Sequence, residues 1–72
     1  MVIPANYLTK GQEAVIIACG NHQMQDIGFV VGERIKVISI MPFGGPKAVR
    51  IGQSTFAVRD EELSTVEVEI EE

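Results

Sequence analysis

The sequence predicts an all-β domain: a small barrel of five short strands, with a short helical insertion after the first strand and one 3₁₀ turn before the last. Three observations carry this prediction. The apolar residues fall in runs too short for a globular helix, glycines and prolines stand between those runs, and the chain closes on strict alternation, Val66, Val68 and Ile70 against Glu67, Glu69 and Glu71. A period of two puts successive side chains on opposite faces, so the last segment reads as a half-buried strand.

The elements follow in order. Ala14 to Cys19, AVIIAC, is rich in β-branched residues and follows the turn signal Lys10-Gly11-Gln12, so it reads as a strand buried on both faces. Asn21 then serves as N-cap of a short helix. Met24 and Ile27 share a face of that helix, and Gly28 stands where the residue after a helix end takes positive φ. Phe29 folds back as the apolar contact closing the cap. Arg34 to Met41 is a strand after the Val31-Gly32 turn. Ile35 and Val37 face one side of it and Ile38 and Ile40 the other, a change of face that predicts a bulge or sharp bend. Met41-Pro42-Phe43-Gly44-Gly45-Pro46 is a loop. Lys47 to Gly52 and Ser54 to Val58 form a hairpin across a tight Gly52-Gln53 connection. Arg59 to Leu63 carries one apolar residue and reads as a 3₁₀ turn. Five strands with these insertions fit an SH3-like barrel. An OB-fold is the competing small barrel, and the short connection at Arg59 to Leu63 favours the SH3-like order.

The whole chain, residues 1–72, reads as one domain without linker, repeat or low-complexity tract. The longest stretch free of Asp, Glu, Lys and Arg runs from Ala14 to Gln25, short of the ~18 residues of a membrane helix. The N-terminus has neither a basic leader nor an apolar core of a signal peptide, and a single cysteine cannot make an intrachain disulfide, so the expected compartment is the cytoplasm. Ten acids against six bases give a net charge of −4. That balance argues against nucleic acid and against an anionic membrane surface, and leaves a protein as the expected partner.

Few residues carry chemistry. Cys19 and His22, the one cysteine and one histidine, are spaced C-G-N-H and offer two ligands for Fe²⁺ or another divalent metal. Two are too few for a closed site unless Asp26 or a second chain adds more, and the simpler reading is a strand-end thiol and a solvated imidazole. Glu67, Glu69, Glu71 and Glu72 read as a solvent face that discourages edge pairing rather than as a cation site. Gly44-Gly45 lacks the surroundings of a phosphate loop, and a Cys-His nucleophile lacks its orienting group, so no catalytic residue and no required cofactor is expected. Apolar surface is the stronger candidate. Met41, Pro42 and Phe43 lie at the mouth of a loop, and with Met24 or Phe29 beside them they form a patch able to receive a partner element.

The stretch IGFVVGERIKVISIMPFGGPKAVRIGQSTFAVRDEEL resembles the FeoA family of ferrous iron transport proteins. The likeness rests on the ordered set Ile27-Gly28-Phe29, Gly32, Arg34 to Ile40, Pro42 to Pro46, Ala48 to Ile51, Thr55 to Val58 and Arg59 to Leu63. Leu8 and Gly11 match the family's opening segment, and Val66 to Ile70 its last strand. Gln23-Met24 replaces a frequent Arg-Leu, and Val31 a frequent Pro. The resemblance implies a non-enzymatic cytoplasmic accessory or regulatory protein of ferrous iron uptake. Its implied partner is the cytosolic, G-protein-containing part of a membrane Fe(II) transporter of the FeoB type. The alternative is an iron-sensing or generic SH3-like adaptor related to the C-terminal domain of iron-dependent repressors. Homo-oligomers are compatible with the open strand edges of so small a barrel.

Overall fold

The computed structural model describes residues 1–70. Six strands are present: β1 (Val2–Pro4), β2 (Glu13–Cys19), β3 (Arg34–Ile40), β4 (Lys47–Ile51), β5 (Ser54–Val58) and β6 (Val66–Ile70). Helix α1 (His22–Asp26) lies between β2 and β3, helix α2 (Asp60–Leu63) between β5 and β6, and a 3₁₀ turn (Ala5–Tyr7) follows β1. The strands form one antiparallel sheet in the order β1-β6-β2-β3-β4-β5. This is the all-β SH3-like architecture, with one strand more than the five expected.

The additional strand is β1, which pairs Val2, Ile3 and Pro4 with Glu69, Val68 and Glu67. Three residues ending in proline show no alternation, so only the distant partner β6 defines them as a strand. Proline is tolerated there because β1 is an edge. The following 3₁₀ turn buries Ala5, and Leu8 closes the same side of the core.

Two bulges bend the sheet. In β3 the pairing with β4 slips between Val37 and Ser39, so Ile38 is the extra residue and the apolar set changes face, as the Ile35–Ile40 pattern predicts. In β2 the register with β6 slips between Ile16 and Ala18. That bulge turns Ile17 and Ala18 toward solvent, so the expectation that Ala14 to Cys19 is buried on both faces is corrected: only Ala14 and Ile16 are buried.

The local signals around α1 are realised in detail. Asn21 Oδ1 accepts from the backbone N–H of Gln23 at 3.0 Å and of Met24 at 3.4 Å. At the other end Gly28, at φ +121°, donates to Gln25 O, and Phe29 donates to Met24 O, each at 3.0 Å. This is a Schellman cap, and its apolar contact pairs Met24 with Phe29. Segment 59–63 is a short α-helix rather than a 3₁₀ turn: Leu63 and Ser64 donate to the carbonyls four residues back. Arg59 N–H donates to Glu62 Oε1 at 3.1 Å, and Asp60, Glu61 and Glu62 in the first turn suit the positive end of the helix dipole.

One hydrophobic core gathers the inward residues of all these elements, among them Ile16, Phe29, Ile35, Val49, Leu63 and Val68. The single buried charge among the described residues is Lys47. Its ammonium donates to the carbonyls of Asn6 and of Leu8 (3.3 Å) and pairs with Asp60 Oδ1 at 3.3 Å. One side chain on β4 thereby ties together the 3₁₀ turn and the start of α2.

Candidate functional site: the loop between β3 and β4

The loop from Met41 to Pro46 is closed at its base by the Ile40–Lys47 pair, the last rung between β3 and β4. Because Lys47 is held by two carbonyls and a carboxylate, the base is fixed. Above it Phe43 and Gly44 take φ of +62° and +74°, and Gly45 N–H lies 3.4 Å from Pro42 O. Two successive left-handed residues inside such a four-residue span make a type I′ turn, which favours Asn, Asp or Gly at both central places. Phe43 is the one non-glycine residue at positive φ among the described residues. Its side chain is also fully in solvent, at 104% relative exposure. A bulky aromatic residue therefore sits in a backbone state that opposes it and gains nothing from the core. Gly45 is required by packing, since a Cβ there falls 2.8 Å from Met41 Cβ.

The patch that results is Ile40, Met41, Pro42 and Phe43, all exposed. Met24 and Phe29 do not join it. They are 1% and 0% exposed, so the expectation that they contribute partner-binding surface is corrected: each is consumed by the cap contact and the core. Their neighbours Ile27, Val30 and Val31 are the exposed apolar residues of that segment, and they form a separate patch. The two patches stand at opposite ends of β4, because Gly28 lies against Ile51 while the loop leads into Lys47. Alternation could not distinguish inside from outside in this segment. The signal that could have done so is the cap itself, which assigns the residue after Gly28 to the core and leaves Ile27 at the helix end.

The other sequence candidates are also placed. Cys19 ends β2 half-buried, and its thiol donates to Asn21 O at 3.5 Å. His22 is exposed at the first position of α1, and Asp26 is exposed at its last. No group of three His, Cys, Asp or Glu side chains among the described residues is placed to hold a metal ion. The described residues therefore do not by themselves assemble a complete metal centre. Glu67 points to solvent from β6, and Glu69 pairs with the N-terminal ammonium. Glu71 and Glu72 lie outside the described residues. No helix among the described residues is long and apolar enough to cross a membrane.

Comparison with known proteins finds one matching family, and structural likeness that extends beyond it. The FeoA domain family matches residues 3–70. The FeoA-like protein of Clostridium acetobutylicum superposes with a TM-score of 0.89 at 23% identity, over 96% of this chain and 86% of its own. The zinc-complexed FeoA of Stenotrophomonas maltophilia, described as an SH3 domain protein, gives 0.82 at 26% identity, over 93% and 89%. IdeR of T. acidophilum gives 0.80 at 16%, but this chain spans 34% of it, so that likeness concerns the fold of one part. No curated protein sequence matches. With nearly its whole length matched and the SH3-like sheet in place, the chain belongs to the FeoA family, small domains linked to ferrous iron transport.

Proposed function

We propose that this protein is a non-enzymatic accessory of ferrous iron uptake that binds the cytosolic, G-protein-containing part of a membrane Fe(II) transporter through the Met41-Pro42-Phe43 loop. The observation that carries the reading is Phe43, held at φ +62° with its ring wholly in solvent. Backbone strain and an exposed aromatic group both disfavour this arrangement in the isolated chain, and strained residues of this kind cluster at sites of recognition. A loop held at its base has less freedom to lose on association, and aromatic anchors buried by a partner rank among the few residues that dominate an interface's energy. Membership of an iron-transport family supplies the partner class.

The test is calorimetric titration of the purified cytosolic domain of the host's ferrous iron transporter, loaded with GDP or with a GTP analogue. Binding in the micromolar range is expected, and Phe43→Ser should weaken it by about tenfold or more, the effect of losing a hot-spot aromatic. Absence of binding in both nucleotide states overturns the reading. Cys19→Ser and His22→Ala should bind the domain as the unchanged protein does, because neither side chain belongs to the loop. A loss in either variant would move the site to the end of β2 and favour the metal-sensing alternative.

A further inference from the structure

The outer face of the sheet carries a second feature that the loop does not explain. Glu13, Lys36, Arg50 and Thr55 are direct cross-strand neighbours, forming one row across β2, β3, β4 and β5. Lys36 and Arg50 therefore stand opposite each other, and like charges so placed destabilise a sheet. The carboxylate of Glu13 is not turned to relieve them, since it lies 3.9 Å from Arg34 Nη1. Among the described residues neither Lys36 nor Arg50 reaches a carboxylate within ion-pair distance. Both line a shallow open cleft together with Glu13, Arg34, Ile35 and Gly52. In a chain with ten acids and six bases, two cations in register without an ion-pair partner among the described residues mark this row as locally basic.

The row ends at an open strand edge. Among the described residues β5 pairs only with β4, and the two-residue Gly52-Gln53 turn makes Ile51–Ser54 the closing hydrogen-bonded pair. Alternation then directs Ser54, Phe56 and Val58 to β4, and points the N–H and C=O of Thr55 and Ala57 outward. No backbone bond among the described residues meets them there. β5 carries no charge, no proline and no bulge, the devices that normally blunt an edge. Phe56, on the inner face of this edge strand, is only partly buried against the core.

We infer that β5 is the docking edge for an extended segment of a partner protein in which acidic and apolar residues alternate. Added beside β5, such a segment bonds to Thr55 and Ala57. Its apolar residues cover Phe56 on the inner face, and its acids lie on the outer face with Arg50. A carboxylate opposite Thr55 lies two strand spacings from Arg50, about 10 Å between backbones, a gap the two long side chains close. A second copy of this chain is the poorer occupant. Its own β5 has no acid and would bring a second Arg50 to the same face, while its acid-bearing β6 is already paired with β1 and β2. This inference does not depend on the loop: Phe43 leads into the Lys47 end of β4, away from Arg50 and Thr55.

The probe is a fluorescein-labelled ten-residue peptide of alternating glutamate and valine, followed by anisotropy and by amide chemical shifts of the full chain. Saturable binding is expected, with the largest shifts at Thr55, Phe56 and Ala57, and with affinity falling as salt is raised. Arg50→Glu should weaken it by about tenfold or more, since like-charge juxtaposition is strongly disfavoured at interfaces. The same variant should melt no lower than the unchanged protein, because it places a carboxylate opposite Lys36. Ala57→Pro, which deletes one outward N–H of an edge strand, should also weaken binding, and Phe43→Ser should not. Failure to bind, or shifts confined to another surface, overturns the inference. So does binding that needs Arg50 but ignores Ala57→Pro, which marks a plain anion site. A concentration-dependent dimer in sedimentation, abolished by Ala57→Pro, would assign the edge to a second copy and overturn it too.

Discussion

Phe43 and Ile35 show two opposite fates of a large apolar side chain in one small domain. Ile35 is 1% exposed and Val68 is fully buried, both within the core. Ile35→Ala should cost about 2–4 kcal/mol through lost transfer energy and a residual cavity, and Val68→Ala somewhat less. In a chain of 72 residues that loss is a large share of total stability, and urea melts should show it as a marked fall in midpoint. Phe43 is expected to behave the other way. Replacing it by Asn, which tolerates positive φ, should raise stability by about 0.5–1 kcal/mol while weakening partner binding by about tenfold or more, as Phe43→Ser does. A stabilised variant that binds undiminished would remove Phe43 from the interface. The residue types at both places are plain in the sequence, but nothing local in it says which of the two is inside.

At the scale of elements, the short-range stereochemistry does most of the specifying. Asn21, Gly28 and Phe29 start and stop α1 by hydrogen bonds that span a few residues, which is why the helix is legible as a string. Asn21→Ala should cost about 1 kcal/mol, because two backbone donors lose their acceptor. The β4–β5 hairpin and the β3 bulge are legible for the same reason. The exposed side of β2 is not, because its bulge at Ile17 is imposed by the register against β6, a strand some fifty residues further on. Lys47 belongs to this class as well. It reads as one more polar residue at the start of a strand, yet it is buried beneath three oxygens from two other elements. Lys47→Met should cost about 1–3 kcal/mol by leaving the carbonyls of Asn6 and Leu8 unpaired, and should loosen the Met41–Pro46 loop. Calorimetry and amide exchange in that loop would measure both effects.

The whole molecule is a single curved sheet wrapped around one core, and its charge is unevenly spread. Acids gather on α2 and β6, while Lys36 and Arg50 stand together on β3 and β4, at the side of the sheet that ends in the open edge of β5. A negative net charge disfavours long-range approach to polyanions in general, whereas this local basic row is complementary to an acidic segment. By itself the sequence determined the all-β class, the hairpin, the capped helix, the β3 bulge, the alternating last strand and the family, because each rests on periodicity, turn chemistry or motif order within a short span. Only the tertiary structure decided that Val2–Pro4 completes the sheet, that Met24 and Phe29 belong to the core, and that Phe43 stands in solvent while the edge of β5 lies open. Those outcomes depend on which faces of distant elements meet, and burial is a property of that meeting rather than of any residue's immediate neighbours in the chain.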